Sequence, residues 1–344
     1  MRGIPPTILN KFSPAKREWL ITSAGYDFYR KFLMVKGTHC LIVGNTGSGK
    51  TQKGYWMCSY LCELETVVWV DAGKNNEIIP LFYLGKPVRV ICPVGTVLTF
   101  PGLPDELQPD IIPITFPRDV WDAVKKGAIN IFAFRNTISD ETEKAKWMSR
   151  IFQQLSIRTR LNEMPHIFPM SIFIDEAQWI VTSHRIKSSE SRTKAAEVIT
   201  ENALEIRGSE GRLILLTQSF KNITVASREN MPAVLIGRRA EISTSDSKVL
   251  AERSVYCGRY KSNQGLFVFP DGDINPWSCP WAFPYYPMPA GVMVKYAGFW
   301  DVKPKGDDTG ELLPGMSKYE TSPREKQIIF SKFDAAGLAG QGDT

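Results

Sequence analysis

The sequence predicts an α/β protein built on a mostly parallel β-sheet with helices on both faces. Short apolar, β-branched runs alternate with helix-like segments along the chain, which is the pattern of successive strand–helix units. Most runs are apolar throughout, as expected for strands that are buried on both faces. The clearest helix, 140–163, repeats apolar residues every three to four positions. These three observations favour a parallel sheet that is covered by helices on both faces.

The order of the elements follows from the same patterns. The predicted strands are 39–43, 66–70, 88–92, 129–134, 171–174, 213–216, 233–236 and 265–269. The predicted helices are 52–63, 140–163, which begins at the capping signal Asp140/Glu143 and is stopped by Pro165, and 195–207. Between them, the proline-rich stretch 93–120 is predicted to be a surface excursion and 181–194 a mobile loop.

The chain of 344 residues divides by composition into three parts. Residues 1–36 are predicted to form an arm with one helix, 37–270 the main domain, and 271–344 an extension rich in aromatic residues and proline. Within that extension, Ser322–Glu325 is a capping box with proline at the first helical position, which predicts a short helix carrying Ile329, Phe330 and Phe333. The last ten residues are predicted to be disordered.

Composition bounds the class of protein. Hydrophobic residues at 43% and charged residues at 23% are typical of a soluble globular protein. No apolar run approaches the roughly 18 residues of a membrane span, and the N-terminus lacks the apolar core of a signal peptide, so we expect a protein that works inside a cell. The six cysteines lack metal-site spacing and are predicted to be buried free thiols. A net charge of +6 permits a polyanionic partner without requiring one.

One motif organises the rest of the chain: Gly44-Asn45-Thr46-Gly47-Ser48-Gly49-Lys50-Thr51, between a predicted strand and a predicted helix. It has the form G-x-x-x-x-G-K-T, the phosphate-binding loop. Its glycines allow successive amides and the helix N-terminus to point at one anion. Lys50 would reach the β- and γ-phosphates of ATP, and the Thr51 hydroxyl would ligate Mg²⁺. The alternative is a glycine-rich turn without a ligand.

Polar side chains follow two other predicted strands. Asp175 and Glu176 come directly after 171–174; one carboxylate would hold Mg²⁺ and the other would polarise the attacking water. Gln218 follows 213–216 and would sense the γ-phosphate or orient water. Because the carboxyl ends of parallel strands meet at one edge, all three would lie beside the phosphate loop. The alternatives are surface acids after a strand and an amide that caps a neighbouring loop.

Several arginines precede or follow these strands. Arg207, before 213–216, could point out of its own subunit and act as an arginine finger in a neighbour's ATP site. The alternative for Arg207 is a solvated surface arginine, which is the predicted state of Arg212, Arg238 and Arg239.

The order of these motifs resembles the HerA–FtsK superfamily of DNA-pumping ATPases. The residues that carry the resemblance are 44–51, Ile174-Asp175-Glu176, and Thr217-Gln218 with Arg207 eleven residues before it. Asp71, after the second strand, also looks like an acid of that family. The resemblance covers about 36–270. The sequence departs from the family pattern, since it is expected to lack the N-terminal β-barrel of archaeal HerA and the membrane spans of many relatives, and it carries an unfamiliar aromatic tail. Together these departures look like a small motor of viral or plasmid origin.

The resemblance implies a RecA-like P-loop ATPase that forms a ring, expected to be hexameric, with Mg-ATP between neighbouring subunits. Catalytic roles would fall to Glu176, Gln218 and Arg207. The ring would move double-stranded DNA, gripped through its phosphates, in genome packaging or DNA transfer. The basic stretch 185–194 is the candidate grip, with a solvated loop as the alternative. The location would be the cytoplasm, or the virion if the source is viral.

Two further segments are candidates for docking. The helix predicted over 322–334 could bind a capsid, portal or secretion component. The aromatic stretch 276–300 could be an interface or could fold back over the core.

Two other functions stay open from the sequence. Asp175-Glu176-Ala177-Gln178 is similar to the box of DEAH-type RNA helicases, but those need a second RecA-like domain for which too little chain remains. The same pocket could also serve a switch, or an ATPase for virion assembly and export, although relatives of that kind carry a membrane span.

Overall fold

The structure is a computed structural model that describes residues 3–71, 77–134, 137–138, 140–180, 190–240, 242–278, 295–304 and 319–327, the last two ranges by their backbone alone. Strands β1–β13 are Cys40–Val43, Thr66–Val70, Val88–Pro93, Val97–Thr99, Asp110–Ile114, Ile129–Phe132, Met170–Ile174, Gly211–Thr217, Ala233–Gly237, Gln264–Val268, Ile274–Ser278, Lys295–Pro304 and Tyr319–Gln327. Helices α1–α10 are Pro6–Leu9, Pro14–Leu20, Ser23–Phe28, Lys50–Leu61, Ile79–Phe82, Val120–Ala123, Glu141–Arg160, Glu190–Gly208, Val225–Glu229 and Lys248–Cys257.

Ten strands form one sheet in the order β11-β10-β9-β1-β8-β7-β2-β6-β3-β5. The strands from β9 to β5 are parallel, and β10 and β11 add an antiparallel edge. The carboxyl ends of β1, β8 and β7 therefore lie at one edge of the sheet, with Val43 beside Thr217 in the register of β1 and β8. This arrangement confirms the predicted fold class. The division of the chain at 37 and 270 stays a prediction.

Apolar side chains cover the sheet on both faces. On one face, Trp56, Met57 and Cys58 of α4 pack with Ile42 and other strand residues. On the opposite face, α7 packs its predicted apolar positions, including Trp147 and Ile151, onto the strands. The amide of Glu143 donates to Asp140 Oδ1 at 2.8 Å, which confirms the predicted start of this helix. Burial of the strands on both faces explains why most of their residues are apolar.

Residues 3–36 differ from the predicted arm with one helix. They form α1, α2, α3 and a π-helical segment, Tyr29–Leu33, and they belong to the core. Phe28 is fully buried, and its ring centroid lies 4.9 Å from that of Trp56. The ring centroids of Phe32 and Phe267 are 5.5 Å apart. Lys31 forms an ion pair with Asp271, beyond β10. The prediction was wrong because the aromatic residues of this segment find their partners far along the chain.

Three other segments differ from their predictions. Strand β5 lies within 93–120, where a surface excursion was predicted; its three isoleucines are separated by Pro113, which this edge strand tolerates. Helix α8 begins at Glu190, inside the predicted loop 181–194. The predicted helix at 322–334 is wrong at its start, since Tyr319–Gln327 pairs antiparallel with β12. A short helix gains little stability of its own, whereas strand pairing satisfies this backbone. Residues 328–334, with Ile329, Phe330 and Phe333, lie outside the described residues, as does most of 276–300.

The described cysteines agree with their prediction. Cys40, Cys58, Cys62, Cys92 and Cys257 are buried and free, whereas Cys279 lies outside the described residues. Burial raises the pKa of the Cys62 thiol to about 11, which keeps it in the unreactive thiol form at neutral pH. Within the described part of the chain, no helix is both long enough and apolar enough to span a bilayer.

His39, just before β1, is a buried histidine with both ring nitrogens engaged. Its Nδ1 accepts from the amide of Leu213 at 2.9 Å, and Nε2 donates to the carbonyl of Ala203 at 2.5 Å. The pKa of His39 is lowered to about 4, mainly because the ring is buried. The hydrogen bond to the Ala203 carbonyl raises this pKa in part, and the positive charges of Arg207 and Arg212 lower it. The neutral ring therefore joins α8 to β8 at this end of the sheet.

We expect His39 to make the fold acid-sensitive. The unfolded chain takes up its proton near pH 6.5 and the folded chain near pH 4, so stability is complete above the first value and is lost as pH falls through that window. The contribution lost by pH 4.5 is about 2–3 kcal/mol. His39→Gln, which cannot titrate, should lose less stability than the wild type between pH 7 and pH 4.5 in urea unfolding. Equal losses in the two proteins would contradict this assignment.

Candidate nucleotide site

The phosphate loop connects β1 to α4 and has the backbone that its glycines allow. Gly49 has φ 73° and precedes Lys50, the first residue of α4, so a side chain there would be strained. A Cβ on Gly44 would collide with Ser48 Oγ, so the close approach of these two residues requires glycine. The amide of Ser48 donates to the carbonyl of Asn45 at 2.9 Å, which curls the loop at the N-terminus of α4.

Asp175, the first acid after β7, lies beside the phosphate loop. The Thr51 hydroxyl donates to Asp175 Oδ2 at 3.0 Å, and the amide of Glu176 donates to Asp175 Oδ1 at 2.8 Å. Burial raises the pKa of Asp175 to about 7, the negative charge of Glu77 adds to this shift, and Lys50 opposes it. A hydroxyl and a carboxylate oxygen at this separation are hard donors of the kind that Mg²⁺ prefers, so the pair fits a magnesium ion.

Glu176, the second acid, is held by side chains from three elements. Lys50 Nζ lies 2.9 Å from Oε1, and Gln218 Nε2 lies 3.1 Å from both carboxylate oxygens. Gln178 Nε2 also donates to Oε2. Burial alone would raise the pKa of Glu176, but Lys50, Gln218 and Gln178 together hold it below the ordinary value. The group is therefore a carboxylate at neutral pH, as a base must be.

The backbone at Glu176 is unusual. Its φ of 49° and ψ of 44° lie in the left-handed region, which a residue with a long side chain seldom adopts. Such conformations are found where a site over-determines the backbone. Here the turn directs Glu176 toward Lys50 and Gln218 while Asp175 stays within reach of Thr51.

The structure thus brings together five of the residues singled out in the sequence: Lys50, Thr51, Asp175, Glu176 and Gln218. Asp71 is buried at the end of β2, at the same edge of the sheet.

Arg207 is not among the residues brought together. It is exposed near the end of α8 and packs against Gly37, which precedes β1, whereas the phosphate loop follows β1. Arg207 therefore lies at the opposite edge of the sheet from Lys50 of the same chain.

The other arginines differ in their surroundings. The prediction for Arg212 was wrong: it is fully buried, and its Nη2 lies 2.8 Å from Glu65 Oε1. Arg239 is exposed, as predicted, and Arg238 is half-buried. No local pattern in the sequence marks Arg212 as buried, because its partner Glu65 lies 147 positions away.

The basic stretch 185–194 is described only in part. Arg185 and Lys187 lie outside the described residues. Arg192 lies in α8, where its Nη2 is 3.1 Å from Glu141 Oε2 and its guanidinium is 5.2 Å from the centre of a Trp179 ring. Lys194 is exposed on the same helix.

Sequence reasoning missed two residues of this site. Gln178 donates to Glu176, and its place two residues after Glu176 in the Asp-Glu-Ala-Gln run was a signal for it. Lys53 lies beneath the phosphate loop and bonds the Ser48 carbonyl. The signal for it was a charged residue among the mostly apolar residues of a predicted helix.

Comparison with known proteins gives structural matches alone. No model of a known protein family matches the chain, and no curated protein matches it in sequence. The chain is similar in structure to genome-packaging, VirB4 and EssC proteins. The genome-packaging NTPase B204 of Sulfolobus turreted icosahedral virus 2, in complex with ATP-gammaS, is 15% identical, with a TM-score of 0.43 over 71% of this chain and 98% of B204.

Two other similar structures are bacterial. VirB4 of Thermoanaerobacter pseudethanolicus is 12% identical, with a TM-score of 0.45 over 71% of this chain and 90% of VirB4. The structure of ATPases 2 and 3 of EssC from Geobacillus thermodenitrificans is 10% identical, with a TM-score of 0.43 over 74% of this chain and 41% of that one. At these identities and TM-scores the similarity assigns no residue a role.

Proposed function

We propose that this protein is an ATPase that uses ATP hydrolysis to move DNA, in genome packaging or DNA transfer. The observation that carries the catalytic part of the proposal is the Glu176 carboxylate, held between Lys50 and Gln218 beside the Thr51–Asp175 pair. A lysine, a hydroxyl, two acids and an amide around one phosphate-binding loop are the parts that phosphoryl transfer needs.

The nucleotide would be held by the loop itself. Backbone amides of 44–51 and the N-terminus of α4 would surround the phosphates, and Lys50 would leave Glu176 to pair with the β- and γ-phosphates. The buried hydroxyl of Ser48 has no hydrogen-bond partner among the described residues, and a buried donor of this kind suits a phosphate oxygen. Thr51 and Asp175 would hold Mg²⁺, which when bound neutralises charge on the phosphates.

Glu176 would then act as the base. Once Lys50 has moved to the phosphates, the carboxylate is free to accept a proton from the attacking water. The Gln218 amide would stay hydrogen-bonded to Glu176 or to that water. Because Gln218 directly follows β8, this bond would couple the presence of the γ-phosphate to the position of β8. Gln178 would fix the carboxylate orientation from the other side.

Arg207 would act on a neighbouring subunit. Its exposure, and its position at the opposite edge of the sheet from its own phosphate loop, suit a residue that completes another subunit's site in a ring. A guanidinium placed there would stabilise the charge that develops during phosphoryl transfer. We propose a ring of subunits, hexameric by resemblance to the HerA–FtsK superfamily, with Mg-ATP at the interfaces and double-stranded DNA in the central channel.

The test is ATP hydrolysis with and without double-stranded DNA at low salt, together with the mass of the particle formed with a non-hydrolysable ATP analogue and Mg²⁺. We expect DNA to raise the rate several-fold, added salt to remove that stimulation, and the mass to be a multiple of that of the 38.7 kDa chain. A hydrolysis rate that DNA does not change, from a protein that stays monomeric, would contradict the proposed motor and favour an ATPase of virion assembly or export.

A further inference from the structure

Lys53, one turn into α4, is a buried lysine under the phosphate loop. It is 1% exposed, whereas lysine is almost never fully buried unless its ammonium group is bonded. The motif that gives Lys50 and Thr51 their expected roles says nothing of this position, which lies three residues after Lys50.

The ammonium group joins two segments that are distant in the sequence. Lys53 Nζ donates to the carbonyl of Ser48, in the phosphate loop, at 2.7 Å, and to the carbonyl of Ser262 at 2.5 Å. Ser262 lies in the turn 261–263 between α10 and β10, which is closed by a 2.9 Å bond from the amide of Gln264 to the carbonyl of Lys261. The lysine therefore fastens this turn to the loop.

The same turn also contacts the loop directly. A Cβ placed on Gly49 would lie 2.5 Å from the carbonyl oxygen of Ser262, so glycine is required there for space as well as for its φ of 73°. Ser262 thus meets the loop at Gly49 and, through Lys53, at Ser48.

The bond to Ser48 has a consequence for the peptide that follows it. In a planar trans peptide the carbonyl of one residue and the amide of the next point in opposite directions. Holding the Ser48 carbonyl toward Lys53 therefore turns the Gly49 amide away from Lys53 and fixes the plane of that peptide. An amide fixed in advance costs less ordering when an anion binds.

We infer that Lys53 is a positioning residue for nucleotide binding, which presets the Ser48–Gly49 peptide and couples the turn 261–263 to the phosphate loop. The inference rests on the proposed binding of nucleotide at that loop. It has two consequences: loss of the ammonium weakens nucleotide affinity more than turnover, and bound nucleotide restrains the turn 261–263.

The test compares Lys53→Met with Lys16→Met, using a fluorescent ATP analogue with Mg²⁺. Lys16 is a matched control, since it is also buried and donates to a carbonyl near the other end of α4, that of Ser59, at 2.6 Å. Both variants should lose thermal stability. Lys53→Met should raise the Kd of the analogue about tenfold with turnover at saturation changed less than about threefold, and Lys16→Met should leave the Kd unchanged. Lys53→Arg, which keeps the donors, should restore part of the affinity.

A second measurement needs no variant. Amide hydrogen exchange of the wild type, with and without the analogue, should show slower exchange in 261–264 when nucleotide is bound. If the wild type binds no nucleotide, the proposed function fails. If it binds, and Lys53→Met has a Kd within twofold of the wild type, or nucleotide leaves exchange in 261–264 unchanged, the inference is overturned while the proposed function stands.

Discussion

Glu176→Gln is expected to lower the turnover number for ATP hydrolysis by about three orders of magnitude, within the range that removal of a general base causes. Glutamine has nearly the same shape, so the packing around β7 should be kept. The amide cannot take a proton from water, and it offers Lys50 no negative charge in place of the carboxylate 2.9 Å away. Lys50 is then free for the phosphates, so nucleotide affinity should stay the same or rise.

The measurement is phosphate release at saturating ATP, with the Kd of a non-hydrolysable analogue determined alongside. Glu163→Gln is a matched control, because Glu163 is a half-exposed acid beyond the end of α7 that pairs with Arg158 at 3.5 Å, and its loss should leave both constants unchanged. A Glu176→Gln enzyme that keeps turnover within threefold of the wild type would mean that another group activates the water.

Much of this site could be predicted from the sequence because its signals are local. The strands before Asp175 and Gln218 contain the apolar runs 172–174 and 213–216, so their ends are visible in the sequence, and parallel pairing then requires those ends to share an edge. The phosphate loop is set by glycines and a helix start within eight residues. The contacts of Lys50 and Gln218 with Glu176 follow from these two facts.

The features that could not be predicted depend on partners far along the chain. Phe32 packs with Phe267, Lys31 pairs with Asp271, and Lys53 reaches Ser262; no periodicity in one segment indicates its partner in another. Strand β5 was missed because its own sequence is short and holds a proline, and it exists by pairing with β3. Long-range packing decides such elements over local propensity.

Arg212→Met is expected to lower the free energy of unfolding by about 3–5 kcal/mol, the usual cost of removing one partner from a buried ion pair. The guanidinium bonds Glu65 and also donates to the carbonyls of Phe32 and Leu33, so it joins the start of β8 to β2 and to the N-terminal segment. Ser171 donates to the same Glu65 carboxylate. Without the arginine, Glu65 would be a buried carboxylate with no ion-pair partner among the described residues, and two carbonyls would lose a donor.

The double variant Arg212→Met/Glu65→Leu separates the ion pair from packing. Replacing both charges by apolar groups removes the cost of an unpaired carboxylate, so the double variant should unfold at a higher urea concentration than Arg212→Met alone. Arg160→Met is the surface control, because Arg160 is an exposed side chain whose Nε lies 3.8 Å from Glu205 Oε2. This substitution should lower the free energy of unfolding by less than about 1 kcal/mol. A loss below 1 kcal/mol for Arg212→Met would contradict the claim that this cluster holds the N-terminal segment against the sheet.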